Sequence, residues 1–173
     1  MFKYVPNQEA DEIAKIKIYI PHIKIEQATL ISLVEHKYTP IETLGEYGYW
    51  DYFKKRWEER ETFINVEQDI VVWPGALKAL WYCPREWCVY DFHLLCHQGR
   101  KLEEEKVGIP LGCMKISKEA IEKTKGHWDG KPVGPYECEL HLTKIISFGL
   151  KVHQHYPGVV NANPVLLKII AKG

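Results

Sequence analysis

Apolar and polar positions change their period several times along the chain, and each change marks an element. Ile16, Ile18 and Ile20 alternate with Lys17 and Tyr19, the period-two pattern of a strand, which Pro21-His22 ends. Residues 25–36 are apolar on most sides and predict a well-buried helix. Thr39-Pro40 marks a turn, because the residue before proline is pushed out of helical space. Across residues 47–60, Trp50, Phe53 and Trp57 fall at helical spacing among charged neighbours, an amphipathic helix with an aromatic seam. A β-rich run at residues 62–66 leads into Glu67-Gln68-Asp69 and then the short apolar run Ile70-Val71-Val72. Trp73-Pro74-Gly75 breaks that run, and Pro74 suits the first turn of a helix over residues 76–81.

The second half repeats the alternation. Strands are expected at residues 86–92, 111–116 and 150–155, with a polar loop or short helix at 98–106. Ser117 is a good N-cap for a helix over 118–125, although Ala120 stands where a capping box needs an acid or amide. A loop at 126–135 precedes a helix that starts at 136 or 137, ends at 148 and is stopped by Gly149. Apolar residues 165–170 suit a last strand or a docking segment. Strands alternating with helices predict a layered α/β fold, and 173 residues suit a single domain over 1–173.

Composition narrows the class. A hydrophobic fraction of 46% supports a packed interior and excludes disorder or a fibrous repeat. Lys+Arg and Asp+Glu balance at 23 each, which argues against a nucleic-acid partner, since a basic excess is the usual footprint. No run approaches the roughly 18 apolar residues of a membrane span, and Met1-Phe2-Lys3-Tyr4-Val5-Pro6 lacks a signal-peptide pattern. Five cysteines, an odd number without the spacing of a small secreted scaffold, are simplest as reduced thiols. A cytoplasmic protein is expected.

The segment richest in chemistry is the strand ending in Glu67-Gln68-Asp69. Open α/β sheets bind ligands at the carboxyl ends of their strands, where these two acids emerge. Mg²⁺ and Mn²⁺ take oxygen ligands, commonly one or two carboxylates plus substrate phosphates. An acid-x-acid step is therefore suited to a metal–diphosphate complex; otherwise it is two solvated acids in a turn.

This strand, the acids, the short strand and Trp73-Pro74-Gly75-Ala76-Leu77 resemble the nucleotide-sugar site of GT-A fold glycosyltransferases, a nucleotide-diphospho-sugar transferase group that includes the family 2-like enzymes. Trp87-Cys88-Val89-Tyr90 resembles the next strand of that family, and Gly112-Cys113-Met114-Lys115-Ile116-Ser117 its strand-to-helix step near the donor sugar. Glu137-Cys138-Glu139-Leu140 opens a helix where such enzymes place an acidic base, and His153-x-His155 lies where some supply a third metal ligand. The chain departs from the family in having Glu67 for Asp, in having Cys138-Glu139 for the usual Glu-Asp, and in its short length. The resemblance implies a Rossmann-like three-layer α/β domain with a mixed, mostly parallel sheet. It implies a nucleotide-diphosphate sugar donor, bound near Pro21, His22 and Gly112, and a glycan, lipid or protein acceptor. Mn²⁺ or Mg²⁺ would be held by Glu67, Asp69 and His155. Glu139 or Glu137 would be the base of an inverting transfer, with Asp91 as an acceptor-side acid or alternative base.

Two other function classes compete. Cys83-x4-Cys88, followed by His93, Cys96 and His97, offers zinc's ligands without the spacing of a standard finger, and would make a binding module for nucleic acid or protein. Buried cysteines acting as small hydrophobes are the plainer account. A non-catalytic binder of sugar nucleotides is the third class. Among lesser features, the aromatic seam is expected in the core, and Lys54-Lys55-Arg56, with Glu58, Glu59 and Glu61 close behind, on a solvated face. His127 and Trp128 occupy a Gly-rich loop that could approach an acceptor.

Overall fold

In a computed structural model, the described residues are 15–90, 112–155 and 158–162. Eight strands alternate with helices over these residues: β1 (Ile18–His22), α1 (Gln27–Ser32), β2 (Tyr38–Glu42), α2 (Gly48–Glu59), β3 (Phe63–Val66), β4 (Ile70–Val72), α3 (Ala76–Tyr82), β5 (Trp87–Tyr90), β6 (Cys113–Ile116), α4 (Lys118–Lys123), α5 (Pro135–Thr143), a 3₁₀ turn (Lys144–Phe148), β7 (Val152–His155) and β8 (Val159–Asn161). Six strands form one sheet in the order β2-β1-β3-β6-β5-β7, while β4 and β8 pair antiparallel as a separate ribbon. β1 is parallel to β2 and β3, and β5 is parallel to β7; β6 is antiparallel to both its neighbours. The carboxyl ends of β1, β3, β5 and β7 therefore share one edge.

The chain leaves β1 for β2 on one side and then returns past it to β3 on the other, so strand order reverses between β1 and β3. α1 contacts β4 on one face of the sheet, whereas α2 packs on the opposite face, as right-handed crossovers require when direction reverses. One face is aromatic: Trp50, Phe53 and Trp57 of α2 meet Phe63, Trp87, Val89 and Met114 of the sheet and Trp128 of the loop after α4. The other face is mostly aliphatic, with Ile18, Ile20, Ile64 and Val66 under Leu33, Leu77 and Leu80. Helices on both faces make three layers.

α2 forms as its seam predicts and stops at Arg60, the only non-glycine residue with positive φ among those described (φ 53°). Gly48 opens it at a close approach, where a Cβ would overlap the Thr43 carbonyl. The Ser117 cap is observed: its Oγ accepts the Ala120 N–H at 3.2 Å. Gly149, at φ 82°, ends the 3₁₀ turn that replaces the last part of the expected 136–148 helix.

Pro21-His22 forms the last two residues of β1, so the strand ends with them as expected. The β1–β3 pairs are Ile18–Ile64 and Tyr19–Asn65, so the missing N–H of Pro21 falls beyond that ladder. Several expectations change. Thr39-Pro40 is not a turn but part of β2, an edge strand whose extended backbone suits proline. The helix expected over 25–36 shrinks to Gln27–Ser32, with Ile31 and Val34 exposed; Thr29 is the buried residue within it, and Leu33 at its C-cap enters the core. Gly75 takes the N-cap of α3 at φ 81°, leaving Pro74 outside the helix. Arg56 is not solvated: it is buried, with its guanidinium 4.0 Å from the Tyr19 ring centroid and 2.8 Å from Glu59. Trp128 is core, stacked on Phe53 at 5.1 Å between centroids, which removes it from any acceptor role. The run at 98–106 and the apolar tail at 165–170 lie outside the described residues.

Candidate functional site

The reversal of strand order between β1 and β3 creates the position where open α/β sheets bind ligands. Three sequence motifs converge there. β3 ends at Val66 and the chain turns through Glu67-Gln68-Asp69, with the Ile70 N–H donating to the Glu67 carbonyl at 3.1 Å. All three turn residues are half-buried. On one side stands β1: Pro21 lies two residues past the last β1–β3 pair, as does Glu67. On the other side begins β6, where the Gly112 carbonyl accepts the Glu67 N–H at 2.7 Å. Pro21, His22, Glu67, Asp69 and Gly112 are thereby gathered on the carboxyl edge.

The middle residue of the motif holds the arrangement together. Gln68 Oε1 accepts the N–H groups of Ile23 at 2.8 Å and Lys24 at 3.1 Å. Its carbonyl accepts from Glu26 N–H at 2.9 Å and from the Thr29 hydroxyl at 3.0 Å. The loop after β1 is thus tied to the acidic turn by four bonds to one residue. The far side of the turn is held by β8, whose following residue Ala162 donates its N–H to the Asp69 carbonyl. Sequence reasoning passed over Gln68 and β8; the signal for the first was an uncharged, long side chain between two acids, and for the second the β-branched pair Val159-Val160.

Below Glu67 the polar groups turn inward. Asn65 is buried on β3 and accepts the Tyr52 hydroxyl at 2.8 Å. Burial pushes the Tyr52 phenol well above its usual range, with the Glu67 charge adding in the same direction and Arg56 opposing. Tyr52 therefore stays a neutral donor. Both residues went unnoticed in the sequence, since a Tyr beside Phe53 reads as more of the aromatic seam.

The expected base positions lie on α5. Glu137 is exposed, and its Oε2 accepts the Gly134 N–H at 3.2 Å, capping the helix. Glu139 lies in the same helix one turn in. α5 packs on α2, on the aromatic face. Asp91 falls outside the described residues, as do His93, Cys96 and His97.

His155 sits elsewhere. Its strand is the far edge of the sheet, three inter-strand spacings from β3, roughly 14 Å at ~4.8 Å each. There it joins Cys83, Cys88 and His153, whose ligand atoms all lie within 4.8 Å of one another. Burial, with smaller contributions from His153 and Lys115, lowers the His155 pKa. Burial also pushes the Cys88 thiol up to about 12, aided by its hydrogen bond with Cys83 and opposed by Lys115.

His127 is not directed at an acceptor either. His127 Nε2 meets the His141 carbonyl and His141 Nε2 the His127 carbonyl, each at 2.9 Å, so both rings carry their proton on Nε2. Burial, then the neighbouring His141, pulls the His127 pKa down to about 4. A cleft of about 210 Å³ between the end of α2 and α4, lined by Lys54, Arg60 and Asp129 among others, lies toward the opposite edge of the sheet.

No protein-family model matches the sequence, and no curated protein matches it. Solved structures do resemble it. The chain is similar to A197 from STIV, with a TM-score of 0.53 and 14% identity over 81% of each chain. It is similar to a glycosyltransferase involved in glycosylation of the major capsid of PBCV-1, with a TM-score of 0.53 and 12% identity over 91% of this chain and 99% of that one. It is also similar to a putative glucose-1-phosphate thymidylyltransferase from Bacillus anthracis, with a TM-score of 0.53 and 14% identity over 94% and 76%. What is shared is the fold: an α/β domain with a mixed, mostly parallel central sheet flanked by helices. Among the described residues no helix is long and apolar enough to cross a membrane.

Proposed function

We propose that this protein is a glycosyltransferase of GT-A type, moving a sugar from a nucleotide-diphosphate donor to an acceptor hydroxyl on a glycan, lipid or protein. The observation that carries the reading is the gathering of Pro21-His22, Glu67-Gln68-Asp69 and Gly112 at the reversal point of the sheet. The solved glycosyltransferase and nucleotidyltransferase of the same fold support it.

Glu67 and Asp69 offer hard oxygen donors on one half-buried turn, a donor set that fits Mn²⁺ or Mg²⁺ and leaves other positions for water and diphosphate oxygens. His155, three strands away, is left out of that set. A bound cation would supply Lewis-acid stabilisation of the charge growing on the diphosphate. The chain's own residues do the rest. Gln68 holds the loop after β1 against the acidic turn and so shapes the wall for the nucleoside. The Asn65–Tyr52 pair keeps the floor beneath Glu67 neutral and hydrogen-bonded. On α5, Glu137 serves as the helix cap, and Glu139 takes the proton of the attacking hydroxyl. The acceptor oxygen bonds to the anomeric carbon as the bond from that carbon to the diphosphate oxygen breaks, on the opposite side, with inversion.

A thermal-shift panel of nucleoside diphosphates with and without Mn²⁺ tests this. One nucleotide should stabilise the protein only with metal, by about 2.7 kcal/mol at 100 times its dissociation constant. Asp69→Asn should remove the metal-dependent part and the donor hydrolysis that accompanies it. No shift from any nucleotide, or an unchanged Asp69→Asn variant, overturns the reading. Binding without turnover of any donor would instead identify a non-catalytic binder.

A further inference from the structure

Cys83, Cys88, His153 and His155 are the one group of three or more potential metal ligands that converges among the described residues. They come from three elements. Cys83 caps the C-terminus of α3; Cys88 is on β5; His153 and His155 are two residues apart on β7, and so point to one face. The β5–β7 register sets Cys88 directly beside His153. Cys83 Sγ is 3.2 Å from His153 Nδ1, which is 3.2 Å from His155 Nε2.

Those two separations lie just under the edges of a zinc coordination tetrahedron, and all four ligand atoms lie within 4.8 Å of one another, so small side-chain shifts would close the set. Zinc bonds of about 2.3 Å to sulfur and 2.05 Å to nitrogen put neighbouring ligand atoms about 3.3 to 3.8 Å apart. Hydrogen bonding accounts for the cluster less well. His153 Nδ1 carries either one proton or one lone pair and faces two partners at the same distance. A buried lysine stands alongside: Lys115 pairs with Cys88 across β5–β6, and its ammonium donates to the Cys83 carbonyl. It brings positive charge to the place where two thiolates would form. Cys88 is fully buried, whereas His153 is exposed, so an ion can reach the ligands from solvent.

We propose that Cys83, Cys88, His153 and His155 bind one structural Zn²⁺, which staples the α3–β5 connection to the edge strand β7. Two thiolates with two imidazoles exclude Mg²⁺ and Ca²⁺, which take oxygen, and a tetrahedral set disfavours the square-planar preference of Cu²⁺ and Ni²⁺. Four protein ligands close the shell, which is the mark of a structural rather than a catalytic site. β7 pairs with β5 and no other strand described here, so the staple holds the element that the ladder holds least. The proposal is independent of the transferase reading and uses none of its residues.

The full chain, purified without chelator under reducing conditions, should contain one zinc per chain by elemental analysis. Cys83→Ser and His153→Ala should each lower that to below one tenth, while Cys113→Ser and Cys96→Ser keep it. The Co²⁺-substituted wild type should show the strong d–d bands of a tetrahedral thiolate site, which a variant's misfolding cannot affect. Stripping the wild type should lower its melting temperature, and Zn²⁺, but not Mg²⁺, should restore it. Absence of zinc with all thiols reduced, a Cys83–Cys88 disulfide found by mass spectrometry, or loss of zinc in Cys96→Ser would each overturn the proposal.

Discussion

The aromatic face of the sheet and its carboxyl edge are built on opposite principles. On the face, Trp128 stacks on Phe53 and meets Trp50 and Trp57 edge-on at 5.0 and 5.6 Å, so each ring is held by several others. Order there comes from volume and shape, and it is shared. At the edge, the loop after β1 meets the acidic turn through Gln68, and order rests on the hydrogen bonds of one amide and one carbonyl. The face gives stability through shared packing; the edge presents polar groups with little surplus stability. A ligand site needs that division, since polar groups left reachable by a donor cannot also be packed into a core.

The largest effect should come from Trp128→Ala, which removes a fully buried ring. Urea denaturation should show a loss of about 3–5 kcal/mol. The nucleotide affinity of the folded fraction should stay within about twofold, because affinity changes tenfold for every 1.4 kcal/mol lost at the edge itself. A large affinity loss would show that face and edge are one unit. Gln68→Ala should invert the pattern. Losing the exposed hydrogen bonds of the Ile23 and Lys24 N–H groups, which water can replace, costs about 0.5–1.5 kcal/mol, and donor affinity should fall about tenfold. Wild-type affinity in this variant would remove Gln68 from the site.

The smallest effect is on the face alone and depends on pH. His127 has its pKa lowered to about 4 by burial first and by His141 second, whereas the unfolded value is near 6.5. Between these values the unfolded chain binds the extra proton, so stability is complete above about 6.5 and declines as pH falls toward about 4. His141, also lowered by burial, acts in the same direction. Denaturation midpoints across that window should fall on acidification, and His127→Gln should flatten the slope. A slope unchanged by His127→Gln would place the titrating group elsewhere.

Much of the fold was legible because local pattern and tertiary packing agree. The seam of Trp50, Phe53 and Trp57 is a helix in any context that buries it, and Ser117 caps by its own side chain. Pro40 and Arg56 were misread for a common reason. A proline is compatible with a turn and with an edge or ladder end, and an arginine with water and with an aromatic ring; the neighbouring strand or ring selects one.

The candidate sites divide along the same line. The acids Glu67 and Asp69 at the end of a buried strand are visible in sequence because the strand and its exit are consecutive. That they stand beside Pro21 and Gly112 depends on strand order, which pairs β1 with β3 residues 46 positions on and joins Glu67 to Gly112 45 positions on. The Cys83, Cys88, His153 and His155 group is further still from local reading: 70 residues separate Cys83 from His153. By itself, then, the sequence determined the alternation of elements, the aromatic helix and the acidic strand end, since these follow from the periodicity and chemistry of neighbours. Tertiary structure alone decided which acids, amides and thiols face one another, because strand register, not chain distance, sets which side chains meet.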